Sequence, residues 1–318
     1  MVNLSDVARK AHVSKMTVSR VINHPDQVSP ELMTLVQQAI EAVGYVPNQV
    51  ARALVNQRHY VIRFLLLEDV ATVEPNYAKL LIRLAHNLQQ KGYTLEISLD
   101  ITAETQSIDG IIVSGWRQED LLKLQTLDVP VILYGAAPPN SPLSSVDVDN
   151  QAGIEKATEY MWRQGYRDIY YIGLSLDLPF AKQREAGYRA VMAQKGGRVS
   201  VYQTENHAHL ADTLVTNLMH NFQLPTAIVC ATDRIALGVL RAVQRVYHIP
   251  RECGVIGFDG VFIDQLTQPQ LTTVRQPFAL IAEKIVAQII SQIESETTLE
   301  TNNVSVSPDI VVRETTSL

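Results

Sequence analysis

Residues 13–29 of the chain, VSKMTVSRVINHPDQVS, place basic and hydroxyl side chains around a short apolar skeleton. Ser14 is a residue type that caps helices, so a helix is predicted over residues 15–23. The apolar residues of this helix share one face: Val18, Val21 and Ile22. The opposite face carries Lys15, Met16, Ser19 and Arg20. The stretch therefore predicts a helix that packs with one side and presents cationic and hydroxyl groups with the other.

Two further helices are predicted, one before and one after it. Asn3, with an aspartate three residues later, resembles a helix N-cap pair, and apolar residues recur behind it as far as Ala11. Ser29 followed by Pro30 is a strong helix start, and this third helix is expected to end at Gly44. Two short helices across a tight turn, with a third that buries their apolar faces, predict an all-α helix-turn-helix head.

The charge of the chain is unevenly distributed. The first 60 residues carry six Lys and Arg against four Asp and Glu, whereas all 318 residues have a formal net charge of −6. A basic head on an acidic body predicts that the head binds a large anion, and nucleic acid is the obvious one. A merely solvated polar face is the alternative, but the turn spacing, the helix caps and the charge asymmetry all favour DNA.

The composition, 46% apolar and 19% charged, is that of a soluble globular protein, and the length predicts two or three domains. No uncharged apolar stretch is long enough to span a bilayer, and the first residues lack a secretory signal. We therefore expect a cytoplasmic protein without membrane contact. Cys230 and Cys253 lie in apolar runs without the spacing of a zinc or redox site, so neither a metal nor a cofactor is expected.

From about Tyr60 onward, apolar runs alternate with amphipathic segments. The predicted strands are VIRFLLLE, TLEISLD, IDGIIVSG and PVILYG, and then IYYIGLS, VSVYQ, TAIVCAT and CGVIGF. Repeated β-α-β units predict parallel sheets with helices on both faces, and the length suits two doubly wound lobes. Ligands of such sheets bind beyond the carboxyl ends of the strands. Asp259 directly follows a predicted strand in an apolar context, where a carboxylate needs a partner, and is therefore a candidate binding residue.

The head resembles the DNA-binding domain of the lactose/galactose repressor family over residues 3–55. The motifs that carry this resemblance are DVARKAHVSKMTVSRVIN and VSPELMTLVQQAIEAVGYVPNQVARAL. It implies that Lys15 and Met16 read bases in the major groove, with Arg20 as a further base contact. The residues at positions that match contacts to the phosphate backbone are Ser14, Thr17, Ser19, Asn23 and Ser29.

The resemblance also implies a hinge helix between the head and the body. This helix would begin at Asn48 and form only on DNA, where Leu54 wedges into the minor groove. A simple packing role is the alternative for Leu54. The predicted domains are the helix-turn-helix head at 1–46, the hinge helix and linker at 47–59, and an effector-binding and dimerisation domain at 60–318. Lobe one of that domain is expected at about 60–147 and 276–305, and lobe two at about 148–275 and 306–318.

The body resembles the effector domain of the same family, which is related to periplasmic sugar-binding proteins. The motifs are VDVDNQAG, REAGYRAV, PTAIVCATDRIALG, VIGFDG and PQLTTVRQP. They imply that Arg184 grips hydroxyls or carboxylates of an effector and that Asp259 accepts hydrogen bonds from sugar hydroxyls. Weaker candidates, each of which could equally cap or pack, are Tyr77, Ser114, Phe180 and Asp233. The chain departs from common family residues at Gly135, Asn206 and Thr232, which leaves the identity of the ligand open.

One departure from the family is structural. Between TLEISLD and IDGIIV the family inserts a further helix, whereas this chain has only about eight residues, 101–108. A helix is therefore expected to be missing from one face of the first lobe. The sheet would then be uncovered at that place, or covered by another subunit.

Together with the resemblance, these observations predict a homodimeric transcription factor, a repressor, that binds a pseudo-palindromic operator and responds to a small effector. The resemblance implies that this effector is carbohydrate-like. Whether the effector raises or lowers operator affinity stays open. No catalytic constellation is found, so we expect no enzyme activity. Two alternatives remain: a catabolite-control-type regulator that uses a phosphorylated protein as co-repressor, and a cytoplasmic sugar-binding protein that does not bind DNA.

Overall fold

The computed structural model describes residues 2–23, 27–45, 58–68, 75–261, 263–295 and 300–316. The chain divides into two compact units, Met1–Tyr60, which contains the head, and Val61–Leu318, which is the body. The predicted hinge helix, with Asn48 and Leu54, lies outside the described residues. Within the described ranges, none of the helices has the length and apolar character needed to cross a membrane.

The head consists of three helices, α1 (Leu4–Lys10), α2 (Lys15–Asn23) and α3 (Pro30–Val43). Asn3 caps α1 through a capping box, Ser29 caps α3, and Gly44 ends α3 in the left-handed conformation at a φ of 64°. The centre of the small core is formed by fully buried valines, one from each helix: Val7, Val18 and Val36. The predicted helix-turn-helix head is therefore confirmed, with α1 ending one residue before the predicted end.

Lobe one of the body is built on a six-stranded sheet. Its strands are β1 (Val61–Leu66), β2 (Thr94–Ser98), β3 (Gly110–Ser114), β4 (Val131–Tyr134), β5 (Ser144–Val148) and β11 (Asn303–Val306). They lie parallel in the order β11-β5-β4-β3-β1-β2. The helices α4 (Pro75–Gln90) and α11 (Phe278–Glu294) pack side by side against this sheet. The helix α5 (Gln118–Gln125) packs through Leu121 and Leu124 on a core cluster that includes Leu65 of β1.

Lobe two repeats this architecture. Its strands are β6 (Asp168–Leu174), β7 (Ser200–Thr204), β8 (Thr226–Cys230), β9 (Cys253–Asp259), β10 (Thr272–Arg275) and β12 (Asp309–Val311). Their order is β12-β10-β9-β8-β6-β7, and β12 is antiparallel to β10 while the others are parallel. The helices are α6 (Asn150–Arg163), α7 (Pro179–Lys195), α8 (Ala208–Leu218), α9 (Asp233–Val243) and the short α10 (Ile263–Leu266). The predicted pair of doubly wound lobes is confirmed.

The chain passes between the two lobes three times. It leaves lobe one after β5, returns after β10, and crosses again between β11 and β12. At one crossing the backbone N–H of Asp149 donates to the carbonyl of Val306 at 2.8 Å. The first two crossings follow the carboxyl ends of parallel strands, so the space between the lobes opens at the edge where such sheets bind ligands.

The segment between β2 and β3 contains no helix, and a loop at residues 99–109 covers the sheet instead. Arg63 of β1 is buried under this loop, where its Nε donates to Glu96 at 2.5 Å and its Nη1 donates to the carbonyl of Glu104 at 2.9 Å. Ile101 and Ile108 of the loop pack against the same core cluster as Leu65. The expected helix is thus missing, and the chain's own loop covers β1 at Arg63, while Thr94 and Ile97 of the edge strand β2 stay exposed.

Candidate functional site

The exposed face of α2 carries the side chains that the sequence assigned to DNA. Lys15 and Arg20 are exposed, and Met16 has 73% of its surface accessible although it is apolar. The hydroxyl of Ser14 accepts a hydrogen bond from the backbone N–H of Thr17 at 3.0 Å, which fixes the start of the helix. Met16 does not belong to the core cluster of the head, so packing within the head gives no reason for an apolar side chain at this exposed position.

A shallow pocket of about 330 Å³ brings five of the ten predicted DNA contacts together between the starts of α2 and α3. Five of its lining residues are predicted contacts: Ser14, Met16, Thr17, Arg20 and Ser29. Ser29 also accepts from the backbone N–H of Leu32 at 3.3 Å and so caps α3. Ser19 is half-buried, and the side chain of Asn23 lies outside the described residues. The start of a helix with its free N–H groups is a ready site for a phosphate.

A cavity of about 610 Å³ lies between the two lobes of the body. From lobe one it is lined by residues that include Glu68, Tyr77, Ser114, Trp116, Tyr134 and Asp147. From lobe two and the crossings it is lined by residues that include Asn150, Phe180, Arg184, Asn206, Asp259 and Gln276. The cavity thus contains five of the six predicted effector contacts, and the exception is Asp233.

Arg184 is the centre of the lobe-two wall. The residue is 4% exposed, and its guanidinium donates from Nε to Oδ1 of Asn150 at 2.8 Å and from Nη1 to the carbonyl of Ala231 at 2.6 Å. It also lies 3.7 Å from the ring centroid of Phe258 and 5.2 Å from that of Phe180. An arginine buried in this way is held in one orientation, with its charge directed at the cleft.

Asp259 faces Arg184 from the end of β9, with 3.6 Å between Oδ1 and Nη1. Its carboxylate accepts from Nε2 of Gln276 at 2.8 Å, and its backbone has a φ of 130°, a conformation that favours glycine. Burial raises the pKa of Asp259 even though the nearby Arg184 lowers it. Oε1 of Gln276 is buried and has no hydrogen-bond partner in the part of the chain that the structure describes. Gln276 thus holds the Asp259 carboxylate at the wall of the cleft, where this carboxylate can accept from a ligand that carries donors.

Asp233 does not line the cavity, which corrects its prediction as an effector contact. Its carboxylate is fully buried and accepts hydrogen bonds from the backbone N–H groups of Gly260 and Val261 at 3.0 and 3.2 Å. It also accepts from the hydroxyl of Thr273 at 2.6 Å. Burial and the neighbouring Asp259 raise its pKa. Asp233 therefore holds the turn that carries Asp259, and it contacts the cleft only through that turn.

The lobe-one wall is a hydrogen-bonded group at the carboxyl ends of β1 and β3. The hydroxyl of Tyr77 lies 2.6 Å from Oγ of Ser114 and donates to Oε1 of Glu68 at 2.9 Å. The ring of Tyr77 meets that of Tyr134 edge to face, with 6.5 Å between the centroids. Burial and the charge of Glu68 raise the pKa of Tyr77. Tyr77 therefore contributes both a rigid aromatic edge and a fixed hydroxyl.

Two lining residues that sequence reasoning missed are Asp147 and Trp116. Asp147 lies near the end of β5, where its carboxylate accepts from Nδ2 of Asn150 at 3.1 Å and from the backbone N–H of Val148 at 2.8 Å. Burial raises its pKa to about 7, although the Val148 N–H and the charge of Arg184 lower it. Trp116 follows β3 by two residues, so the rule that ligands bind at the carboxyl ends of strands would have found it.

The positions at which the chain departs from common family residues also lie in the cleft. The hydroxyl of Thr232 donates to Oδ1 of Asn206 at 2.8 Å, and this hydrogen bond links the segment after β8 to the segment after β7. Gly135 has a φ of 114°, which a residue with a side chain rarely adopts. Among the described residues no cluster of three or more His, Cys, Asp or Glu has the arrangement of a metal site.

Comparison with known proteins gives matches to both parts of the chain. The family model of bacterial regulatory proteins, lacI family, matches residues 3–48, and that of the periplasmic binding protein-like domain matches residues 158–316. The HTH-type transcriptional regulator YvdE of Bacillus subtilis (strain 168) is 36% identical over 99% of this chain and 100% of its own length.

Two solved structures show the same fold over the whole chain. The complex of the transcriptional regulator CelR with cellobiose has a TM-score of 0.72 at 26% identity, and covers 99% of this chain and 100% of its own. The Lac repressor dimer bound to operator and the anti-inducer ONPF has a TM-score of 0.73 at 22% identity, and covers 100% and 99%. These matches agree with the predicted combination of a helix-turn-helix head and two periplasmic-binding-protein-like lobes.

Proposed function

We infer, because the chain belongs to the lacI family of bacterial regulatory proteins, that it is a transcriptional repressor whose operator affinity is set by a carbohydrate bound between its lobes. The family membership confirms the resemblance on which the sequence prediction rested, and with it the predicted class, a DNA-binding transcriptional regulator. The repressing role and the chemistry of the effector are proposals that rest on the cleft and on the head.

The observation that carries the effector proposal is the composition of the cleft wall. Carboxylates that accept hydrogen bonds face the cavity from both lobes: Glu68, Asp147 and Asp259. Arg184 is already bonded to protein partners, so its charge is largely compensated there. A ligand rich in hydroxyl donors and without charge fits this wall better than a phosphate ester does, because like charges repel in a buried site. CelR in complex with cellobiose is a relative that holds such a ligand.

The DNA proposal rests on the exposed face of α2. Lys15 and Met16 stand at the start of the helix where base edges are read, with Arg20 one turn further on. Ser14, Thr17, Ser19 and Ser29 are proposed to contact phosphates, and the same is proposed for Asn23. The Lac repressor binds its operator as a dimer, and we propose that this chain is also a homodimer, so that two heads read two half-sites of a pseudo-palindrome.

We propose that the protein works in the cytoplasm, because a regulator of this kind acts on chromosomal DNA. We assign it no enzyme activity. A basic patch on lobe one would favour the version with a phosphorylated protein as co-repressor. The candidate cations there are Lys79 of α4, whose Nζ donates to the carbonyl of Gly260 at 2.8 Å, and the exposed Arg83 of the same helix. Two cations are too few to decide for that version.

The test uses the full-length protein. Duplexes are selected from a random DNA library, and binding to the enriched site is then measured with and without neutral mono- and disaccharides. We expect a pseudo-palindromic site whose affinity changes with a sugar. Lys15→Ala should weaken binding, whereas Lys91→Ala, at an exposed lysine of the body, should leave it unchanged. A site that no sugar affects would favour a protein co-repressor, and no enriched site at all would favour a sugar-binding protein.

A further inference from the structure

Trp116 forms an aromatic wall of the cleft on lobe one. It lies two residues after the end of β3 and lines the cavity, and it also packs against the core cluster that contains Leu121 and Leu133. Its Nε1 lies 3.8 Å from the place where a Cβ would stand at Gly135, so the glycine leaves the space beside the indole open. The ring is therefore supported by the core on one side and accessible to a ligand on the other.

The lobe-two wall of the cavity is polar at Asn206. The Oδ1 atom of this residue lies 2.8 Å from the hydroxyl of Thr232, and Asn206 lines the same cavity as Trp116. Lobe one supplies Tyr77, Trp116 and Tyr134 to the lining of the cavity, and lobe two supplies Phe180 beside Arg184. Tryptophan offers the largest flat apolar surface of any side chain, together with one N–H donor.

The two parts of the cavity differ in burial. Arg184, Asp259 and Gln276 are each at least 95% buried, whereas Trp116 and His207 are half-buried. A sugar ring at the buried end would be held by hydrogen bonds. The cavity of about 610 Å³ falls in the middle of the range for ligands of drug size, which leaves room beyond that first ring.

We propose that Trp116 forms an outer sugar subsite and that the effector is a neutral oligosaccharide of at least two rings. This inference rests on the proposed carbohydrate effector. The inner ring bonds to the carboxylate of Asp259, which Gln276 holds in place, and the next ring stacks on the indole. A monosaccharide fills only the inner position.

The experiment exploits the fact that the chain has two tryptophans. Trp162 lies in α6, where it contacts Arg167 and does not line the cavity. Trp162→Phe in the full-length protein therefore leaves Trp116 as the only tryptophan. Glucose, galactose, cellobiose, maltose and lactose are titrated while calorimetry measures affinity and fluorescence reports on Trp116. Trp116→Leu and Trp116→Phe, with Trp162 intact, are titrated by calorimetry, and their melting temperatures verify folding.

We expect at least one disaccharide to bind more tightly than either monosaccharide and to change the fluorescence of Trp116. Trp116→Leu should weaken that disaccharide about tenfold or more, Trp116→Phe should retain much of the affinity, and the binding of monosaccharides should change little. Sugar binding without a change in Trp116 fluorescence and without an effect of Trp116→Leu would overturn the subsite and leave the carbohydrate effector intact. Monosaccharides that bind as tightly as the disaccharides would overturn the two-ring effector. No binding by any of the five sugars would contradict the proposed function itself.

Discussion

The head and the cleft use charged side chains in opposite ways. On the head, Lys15 and Arg20 are exposed, and the helix that carries them is held by its own caps and by a small apolar core. In the cleft, Arg184 and Asp259 are almost fully buried, and their partners come from several distant segments. A buried charge is costly without its partners. The charged residues of the cleft therefore affect the stability of the body, whereas the exposed charges of the head have little effect on the stability of the head.

This contrast has a consequence for substitutions. In the cleft, changing a polar residue should affect stability as well as ligand affinity. On the face of α2, changing a polar or exposed residue should affect DNA affinity while the fold stays intact. Measurements of the free energy of unfolding therefore test the contrast directly, without knowledge of the effector or the operator.

The largest effect is expected for Asp233→Ala. It leaves the N–H groups of Gly260 and Val261 and the hydroxyl of Thr273 buried without their acceptor. Because an unsatisfied buried donor costs about 1–3 kcal/mol, we expect a loss of about 3 kcal/mol or more in the free energy of unfolding of the body. Urea denaturation followed by tryptophan fluorescence measures it, since both tryptophans lie in the body.

Asp212→Ala is the matched control for that measurement. The carboxylate of Asp212 pairs with Arg245 at the surface of lobe two, and the side chains are 22% and 53% exposed. Surface pairs of this kind contribute about 1 kcal/mol or less. If Asp233→Ala costs no more than the control, Asp233 does not hold the turn that carries Asp259.

The second prediction concerns the pH dependence of stability. Burial raises the pKa of Asp147 to about 7, from an ordinary value near 4, so the folded state retains a proton that the unfolded chain releases. The stability that this group contributes is therefore complete below about pH 4 and is lost as the pH rises through 7. Asp147→Asn has no such titration, so the variant should gain about 2 kcal/mol relative to the wild type between about pH 5 and pH 7.

Urea denaturation of both proteins at the two pH values, without added sugar, measures this difference. Burial also raises the pKa values of Asp233 and Asp259, and because both proteins keep these residues we expect their contribution to cancel in the comparison. A difference that stays constant across the pH range would mean that Asp147 is ionised in the folded state throughout.

The same contrast explains how much could be predicted from the sequence. The helices of the head were predicted nearly to the residue, because caps such as Ser29 and the apolar period are local signals. Apolar runs likewise identified eight of the strands. The strands β5, β10, β11 and β12 were not predicted, and β10 shows why: its Thr272 and Thr273 are fully buried but polar, since their hydroxyls bond within lobe two.

The candidate site was harder to predict for the same physical reason. Nothing near Arg184 in the sequence indicates burial, because its partners at residues 150, 231 and 259 lie far along the chain. Only the family resemblance singled it out. Asp147 belongs to a strand that was not predicted. The expectation that ligands bind at the carboxyl ends of strands therefore did not single out this residue. Asp233 was assigned to the cleft because it follows a strand, but its side chain turns inward to the loop after β9.

A smaller effect is expected for the helix cap of the head. Ser14→Ala removes the acceptor of the Thr17 N–H and should cost about 1 kcal/mol, so the amides of α2 should exchange hydrogen about fivefold faster. Ser14→Asp keeps an acceptor and should restore slow exchange, while its negative charge repels phosphate and weakens DNA binding. If both variants exchange at the wild-type rate, Ser14 does not stabilise the start of α2.

The smallest effect on stability is expected for Met16→Ala, which makes it the sharpest test of the contrast. Met16 and Val18 are two residues apart on α2, but Met16 is 73% exposed and Val18 is fully buried. Met16→Ala should change the free energy of unfolding of the head by less than about 0.5 kcal/mol, whereas Val18→Ala should cost about 2 kcal/mol. In a selection from random duplexes, Met16→Ala should nevertheless enrich a different or weaker site. An unchanged site would place Met16 outside the interface, and its exposure would then be without a functional reason.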